Sequence, residues 1–240
     1  MSYTLSQKAF AWFTHAFTAS GLVAAFLAIL AIDAQDWRWA MIWLIVCLII
    51  DGVDGTFARA SKVKEVLPHM DGKTIDYVID FATYAIIPSY LFYKAAQAGA
   101  IAAFDDNVAF GCVVVMLIVS ALYYGRMGMV TDDMYFLGFP VLWNMVVFYM
   151  IFVFTAPAWL NVAAVLFFAV LHFVPIKFVY PSQQTRAKGP TIAVTVVFLV
   201  ANLAILWLYP EVPFWLELVS ILTVLYYGAM AVYDTYVLKV

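Results

Sequence analysis

Asp51 and Asp54 stand three residues apart in "DGVDG", and Asp76 and Asp80 stand four apart in "DYVID". Either spacing puts both carboxylates on one face of a helix. On antiparallel neighbouring helices the four would converge on one small volume. Such a group repels itself, and a charge at membrane depth costs roughly 3 kcal/mol or more unless it is paired. No lysine or arginine in these segments is placed to neutralise it. Carboxylates without histidine or cysteine suit hard divalent ions such as magnesium, manganese or calcium. Two ions about 4 Å apart are a common device for phosphoryl-type chemistry, so two Mn2+ or Mg2+ ions are the expected cofactors. Gly55 and Ala58 leave room for a ligand near the backbone, and Gly72 clears space at a helix entrance. Arg59 offers a planar fork that suits phosphate. Asp71, just before "GKTID", reads as a capping acid instead of a member of the cluster.

The elements that must hold these acids are apolar. Of 240 residues, 67% are hydrophobic and 11% charged, far from the balance of a soluble domain. An all-α integral membrane protein is expected, a single polytopic domain over 1–240. A helix needs about 20 apolar residues to cross the hydrocarbon core. That measure gives eight spans, at 10–32, 38–58, 74–97, 108–124, 137–156, 158–178, 190–209 and 213–236. The first is read as a retained transmembrane helix and not as a signal peptide. Eight spans place both termini on one side. Lys8, Arg59, Lys62, Lys64, Lys73, Arg126, Lys177, Arg186, Lys188 and Lys239 share that side, and only Arg38 and Lys94 fall opposite. The bias puts the termini, and the acid-bearing connection, in the cytoplasm. Cys47 and Cys112 lie in apolar runs and read as small buried hydrophobes.

The ordered set Asp51, Asp54, Gly55, Ala58, Arg59, Gly72, Asp76 and Asp80 resembles the D-x-x-D-G-x-x-A-R … G-x-x-x-D-x-x-x-D signature of the CDP-alcohol phosphotransferases, which spans 51–80 here. The resemblance implies that Asp51, Asp54 and Asp76 bind metal and that Asp80 does so while serving as general base. It implies that Gly55, Ala58, Arg59 and Gly72 hold the CDP portion. Thr18, in "HAFT", matches the threonine of an N-x-x-T element found in many members and is expected to join those residues at the CDP portion, with His15 where asparagine is expected. Twelve residues separate Arg59 from Gly72, a longer spacer than most members have. This spacer and "TDDMYFLGFPVLWN" (Thr131 to Asn144) resemble the bacterial phosphatidylcholine synthase branch. The expected reaction joins CDP-diacylglycerol to choline and releases CMP, in the inner membrane of a bacterium with the site facing the cytoplasm. A homodimer is implied by the resemblance, and nucleic acid is not an expected partner.

Choline recognition would rest on aromatic faces and an acid. The expected acceptor residues are Tyr123, Tyr124, Arg126, Asp132, Asp133 and Trp143, with Tyr135, Phe136, Tyr226 and Tyr227 also on cytoplasmic ends. Aromatics are 18% of the chain, and Tyr and Trp collect at membrane interfaces in any case. Alternative acceptors are serine, glycerol phosphate and inositol phosphate. A phosphorylated acceptor would call on Arg126, Lys177, Arg186 and Lys188, which otherwise set topology and attract anionic lipid. Buried acids also mark ion-coupled transporters. Those would carry charge near the midplane, where this chain has isolated polar groups such as Asn144, Asn161, His172 and Asn202, a type that more often joins helices.

Overall fold

The computed structural model describes residues 3–102, 104–181, 183 and 186–237; Lys239 lies outside them. Helix α1 (Leu5–Asp33) starts at a reciprocal cap, in which Thr4 Oγ1 accepts from the Gln7 amide and Gln7 Oε1 accepts from the Thr4 amide. Its buried face includes Ala11, Thr14, Thr18, Gly21, Ala24, Ala25 and Ala28. This stripe of small side chains lets α2 (Trp37–Ser61) approach closely along its length. The pair is tied by Cys47 Sγ to the Gly21 carbonyl at 3.5 Å and by Thr14 to Ser61 at 3.1 Å.

Lys62 adopts a left-handed conformation (φ 49°) that ends α2 and starts the one-turn helix α3 (Val63–Val66). Val63 and Val66 dock with Ala58 against Ala11 of α1. The long spacer is therefore a packed strut between the two helix ends. The chain next forms a continuous helical run from Gly72 to Gln97, made of α4 (Gly72–Asp80), a π-helical turn (Phe81–Ile86) and α5 (Ile87–Gln97). Asp71 caps it, accepting from the Lys73 amide and the Thr74 hydroxyl. The Thr74 bond comes first among the contacts that hold the Asp71 carboxyl below its ordinary range. The π turn has a local cause. Pro88 has no N–H, and its ring crowds the carbonyl four residues back, that of Tyr84. The Ile87 amide reaches back to Ala82, and the Thr83 hydroxyl fills the Ile79 carbonyl at 3.0 Å.

The rest of the bundle is α6 (Asp106–Tyr124), α7 (Trp143–Phe152), α8 (Ala158–Leu171), α9 (Lys188–Leu208) and α10 (Phe214–Val232), which is followed by a π turn (Tyr233–Val237). Among the described residues, α1, α2, α6, α9 and α10 are long and apolar enough to cross a membrane. The apolar stretches at 137–156 and 158–178 hold helices of 10 and 14 residues, short of a full span. Their flanks are used otherwise. Tyr135–Leu137 (β1) pairs antiparallel with Lys177–Val179 (β2), which closes the cytoplasm-expected ends of α7 and α8 over one another. Hydropathy counts such apolar strand residues as helix. Asn202 does join helices: its Oδ1 accepts from Ser220, whose hydroxyl also meets Tyr149, linking α9, α10 and α7. Asn144 and Asn161 instead bond locally.

Gly138 follows β1 with φ 89°, and a Cβ there would overlap the His172 carbonyl oxygen. Gly138→Ala is expected to cost roughly 2–4 kcal/mol from left-handed strain plus overlap. A fall in the thermal unfolding temperature of detergent-solubilised protein checks this, with Gly189→Ala, which meets open space, as the neutral comparison.

Candidate active site

The α1–α2 pair and the α4 segment enclose one small pocket, lined by Thr18, Cys47, Ile50, Asp51, Asp54, Asp76, Ile79 and Asp80. All four aspartates expected from the spacing reach it. Each of Asp51, Asp76 and Asp80 offers a carboxylate oxygen such that all three lie within 4.8 Å of one another. Oxygen ligands of one hard cation, bound at about 2.0–2.6 Å, span distances of this order. The three carboxylates are half-buried, and Asp80 lies within hydrogen-bond reach of Asp51. Among the described residues no lysine or arginine forms an ion pair with them; the ion pairs there are Lys177 with Asp133 and Arg186 with Asp234. An oxygen-only set held together without a protein cation fits a divalent metal.

Asp54 differs from the other three. As a residue it is less exposed, and its carboxylate is outside the compact oxygen group. It adjoins the Thr18 hydroxyl and feels the charge of the Arg59 guanidinium without forming an ion pair with it. The Arg59 side chain folds back along α2, with Nη2 donating to Thr56 at 3.1 Å. Its Nη1 lies 3.4 Å from where a Gly55 Cβ would be, so Gly55 makes room for the arginine itself. Ala58 packs on the α3 strut. Gly72 touches His15: a Cβ at position 72 would sit 3.0 Å from His15 Cε1. His15 is buried one turn before Thr18 on α1. The clearance at Gly72 is thus taken up by the imidazole that stands at the asparagine position of the motif.

The expected acceptor residues separate. Tyr124 stands beside the acids, and its ring meets Tyr77 and Phe81, the residues that follow Asp76 and Asp80, both at 5.9 Å. Tyr123 points the other way, into a buried cluster with His172 at 5.4 Å. Trp143 is fully buried in that cluster, stacked on His172 and donating to Ser120 at 2.8 Å. Asp133 is held by Lys177 at 2.6 Å in the loop ahead of β1, and that bond keeps its carboxyl below the ordinary range. Arg126 reaches the Leu137 carbonyl. None of Tyr123, Tyr124, Arg126, Asp132, Asp133 and Trp143 lines the pocket. Tyr135 and Phe136 belong to β1, and Tyr226 and Tyr227 bond to Thr191 and Thr195 of α9.

Spacing alone does not single out Tyr77, Phe81 or Tyr84. Tyr84, in the π turn, is buried and donates to Asp51 Oδ2 at 2.7 Å. The available signal was Pro88, which disturbs the helix one turn later.

No family model matches the chain. It is 38% identical over 202 residues to phosphatidylcholine synthase of Pseudomonas aeruginosa, covering 84% of this chain and 82% of that protein. It is 38% identical over 216 residues to phosphatidylcholine synthase of Rhizobium meliloti, covering 90% and 87%. Phosphatidylcholine synthase of Borreliella burgdorferi is 34% identical over 187 residues, covering 78% and 77%.

Gly72→Ala is expected to push on His15 and lower stability by roughly 1–2 kcal/mol. The double variant with His15→Ser should recover most of that loss, because the side chain that crowds position 72 is gone. Thermal unfolding of the two single variants and the double variant measures the coupling; additive effects would contradict the contact.

Proposed function

Because the chain belongs to the phosphatidylcholine synthase family and is an enzyme of the CDP-alcohol phosphotransferase type, we propose that it transfers the phosphatidyl group of CDP-diacylglycerol to choline, giving phosphatidylcholine and CMP. The observation that carries the reading is the meeting of Asp51, Asp76 and Asp80 within 4.8 Å in a pocket that Asp54 also lines. These acids would hold one or two divalent ions, Mn2+ or Mg2+, with Asp54 completing the set. The metal, when bound, supplies positive charge against the pyrophosphate and the departing CMP.

The remaining work falls to the chain's own groups. The choline oxygen attacks the phosphorus that carries diacylglycerol, and the bond from that phosphorus to the CMP oxygen breaks. Asp80 takes the hydroxyl proton from its place in the carboxylate group. Arg59, whose guanidinium lies beside Gly55, would meet the nucleotide phosphates. Thr18 borders the same pocket. Tyr124, with Tyr77 and Phe81, offers aromatic surface to a quaternary ammonium beside the acids. Lys73 already stands over the Tyr77 ring at 5.2 Å, so the ammonium would be met chiefly by Tyr124 and Phe81. The site would face the cytoplasm of a bacterium at its inner membrane. Lys62, Lys64 and Lys73 on the α2–α4 connection support that side.

The deciding assay uses purified protein, CDP-diacylglycerol and Mn2+, with choline, serine, glycerol phosphate or inositol phosphate supplied in parallel. CMP should be released with choline; release with serine alone would sink the acceptor assignment. Asp80→Asn should lower kcat by about 10²–10⁴-fold, and normal turnover by that variant with metal bound would remove Asp80 as the base. Tyr124→Leu should raise the choline KM roughly fivefold or more, as expected for loss of a cation–π contact of about 1 kcal/mol. The KM for CDP-diacylglycerol in the same variant should stay unchanged.

A further inference from the structure

We propose that Tyr84 is a positioning residue that fixes Asp51 for metal binding; this rests on the reading of the aspartate group as a metal site. Asp51 sits on α2 and Asp76 and Asp80 on α4, so the first ligand has to be aimed across a helix–helix boundary. A bare aspartate side chain turns about two bonds, and repulsion from Asp76 and Asp80 drives it away from them. The Tyr84 hydroxyl removes that freedom by donating to Asp51 Oδ2 at 2.7 Å. The tyrosine is itself fixed. It is 4% exposed and packs in the main apolar core, so its hydroxyl has little choice of direction.

The backbone supports the same assignment. Tyr84 lies inside the π turn Phe81–Ile86, directly after Asp80. The turn widens where Pro88 crowds the Tyr84 carbonyl, which changes the direction in which the residue-84 side chain leaves the helix. One stretch of chain thus provides a ligand, Asp80, and four residues later the group that orients a ligand on the neighbouring helix. Hydrogen bonds from outer residues to ligating carboxylates commonly set metal affinity, and their loss weakens binding by about 10–100-fold.

The test is Tyr84→Phe, which keeps the ring and removes the hydroxyl, in full-length protein in nanodiscs. Free Mn2+ is followed by electron paramagnetic resonance during titration, and folding by thermal unfolding. The dissociation constant for Mn2+ is expected to rise about 10–100-fold. In the CMP-release assay the Mn2+ concentration for half-maximal rate should rise by a similar factor, and most of kcat should return at saturating Mn2+. Tyr90→Phe loses a comparable bond, to Asp33 at the other end of the bundle, and should bind Mn2+ as the parent does. Unchanged Mn2+ affinity in a folded Tyr84→Phe protein would overturn the proposal. Failure of that variant to fold would also overturn it, because the hydroxyl would then serve stability. Asp51→Asn separates the two levels of the reading. Loss of Mn2+ binding there with none in Tyr84→Phe defeats the positioning role alone, and parent-like binding by Asp51→Asn defeats the metal site itself.

Discussion

Mutual repulsion among acids brought together at the end of two apolar helices is the constraint that shapes this protein. Asp51, Asp76 and Asp80 come within 4.8 Å of one another, and no lysine or arginine among the described residues pairs with them. Hydrogen bonds of the scaffold and close helix packing hold the arrangement together. The stripe of small residues on α1 brings α2 close. The Asp71 cap fixes the start of α4, and Gly21 allows α4 to lie against α1, with Ile79 Cγ2 3.2 Å from where a Cβ would be. Each of these contacts is modest alone. Together they prevent the two acid-bearing helix ends from separating.

The proposed reaction offers a reason for where the group sits. In it a diacylglycerol-bearing substrate would keep its tails in the bilayer, and a charged nucleotide and a soluble alcohol would exchange with water. Under that reading Asp51 and Asp54, in the last three turns of α2, and Asp76 and Asp80, in the middle and at the end of α4, would meet both phases without the cost of a midplane charge. The short α7 and α8, joined by the β1–β2 pair, leave the acid-bearing end of the bundle framed by irregular chain as well as by helix ends.

Much of the site was legible from spacing. Intervals of three and four between aspartates specify a shared helix face, and the structure brings all four to one pocket. Asp71 announced itself as a cap by its place before "GKTID". Other features were not legible, for identifiable reasons. Asp54 stands outside the compact oxygen group because face-sharing fixes direction but not depth. Trp143 and Tyr123 proved to be core residues, since in so aromatic a chain a ring near a helix end carries little information. The ends of the fifth and sixth apolar stretches became strands and turns because hydropathy does not register hydrogen-bond pattern. Tyr84 was hidden because a 3.6-residue period does not describe the turn that holds it.

That turn also bears on how sequences of this kind can be compared. A π turn is, in effect, one extra residue accommodated within a continuous helix. A chain that built the same run from Gly72 to Gln97 with ordinary helix throughout would match this one only with a single-residue gap, placed between Asp80 and Pro88 in the middle of an apolar segment. An ungapped alignment would keep every aspartate in register yet pair Tyr84 with the wrong neighbour. Absence of a tyrosine at that column would then say nothing about whether the hydroxyl is present in space.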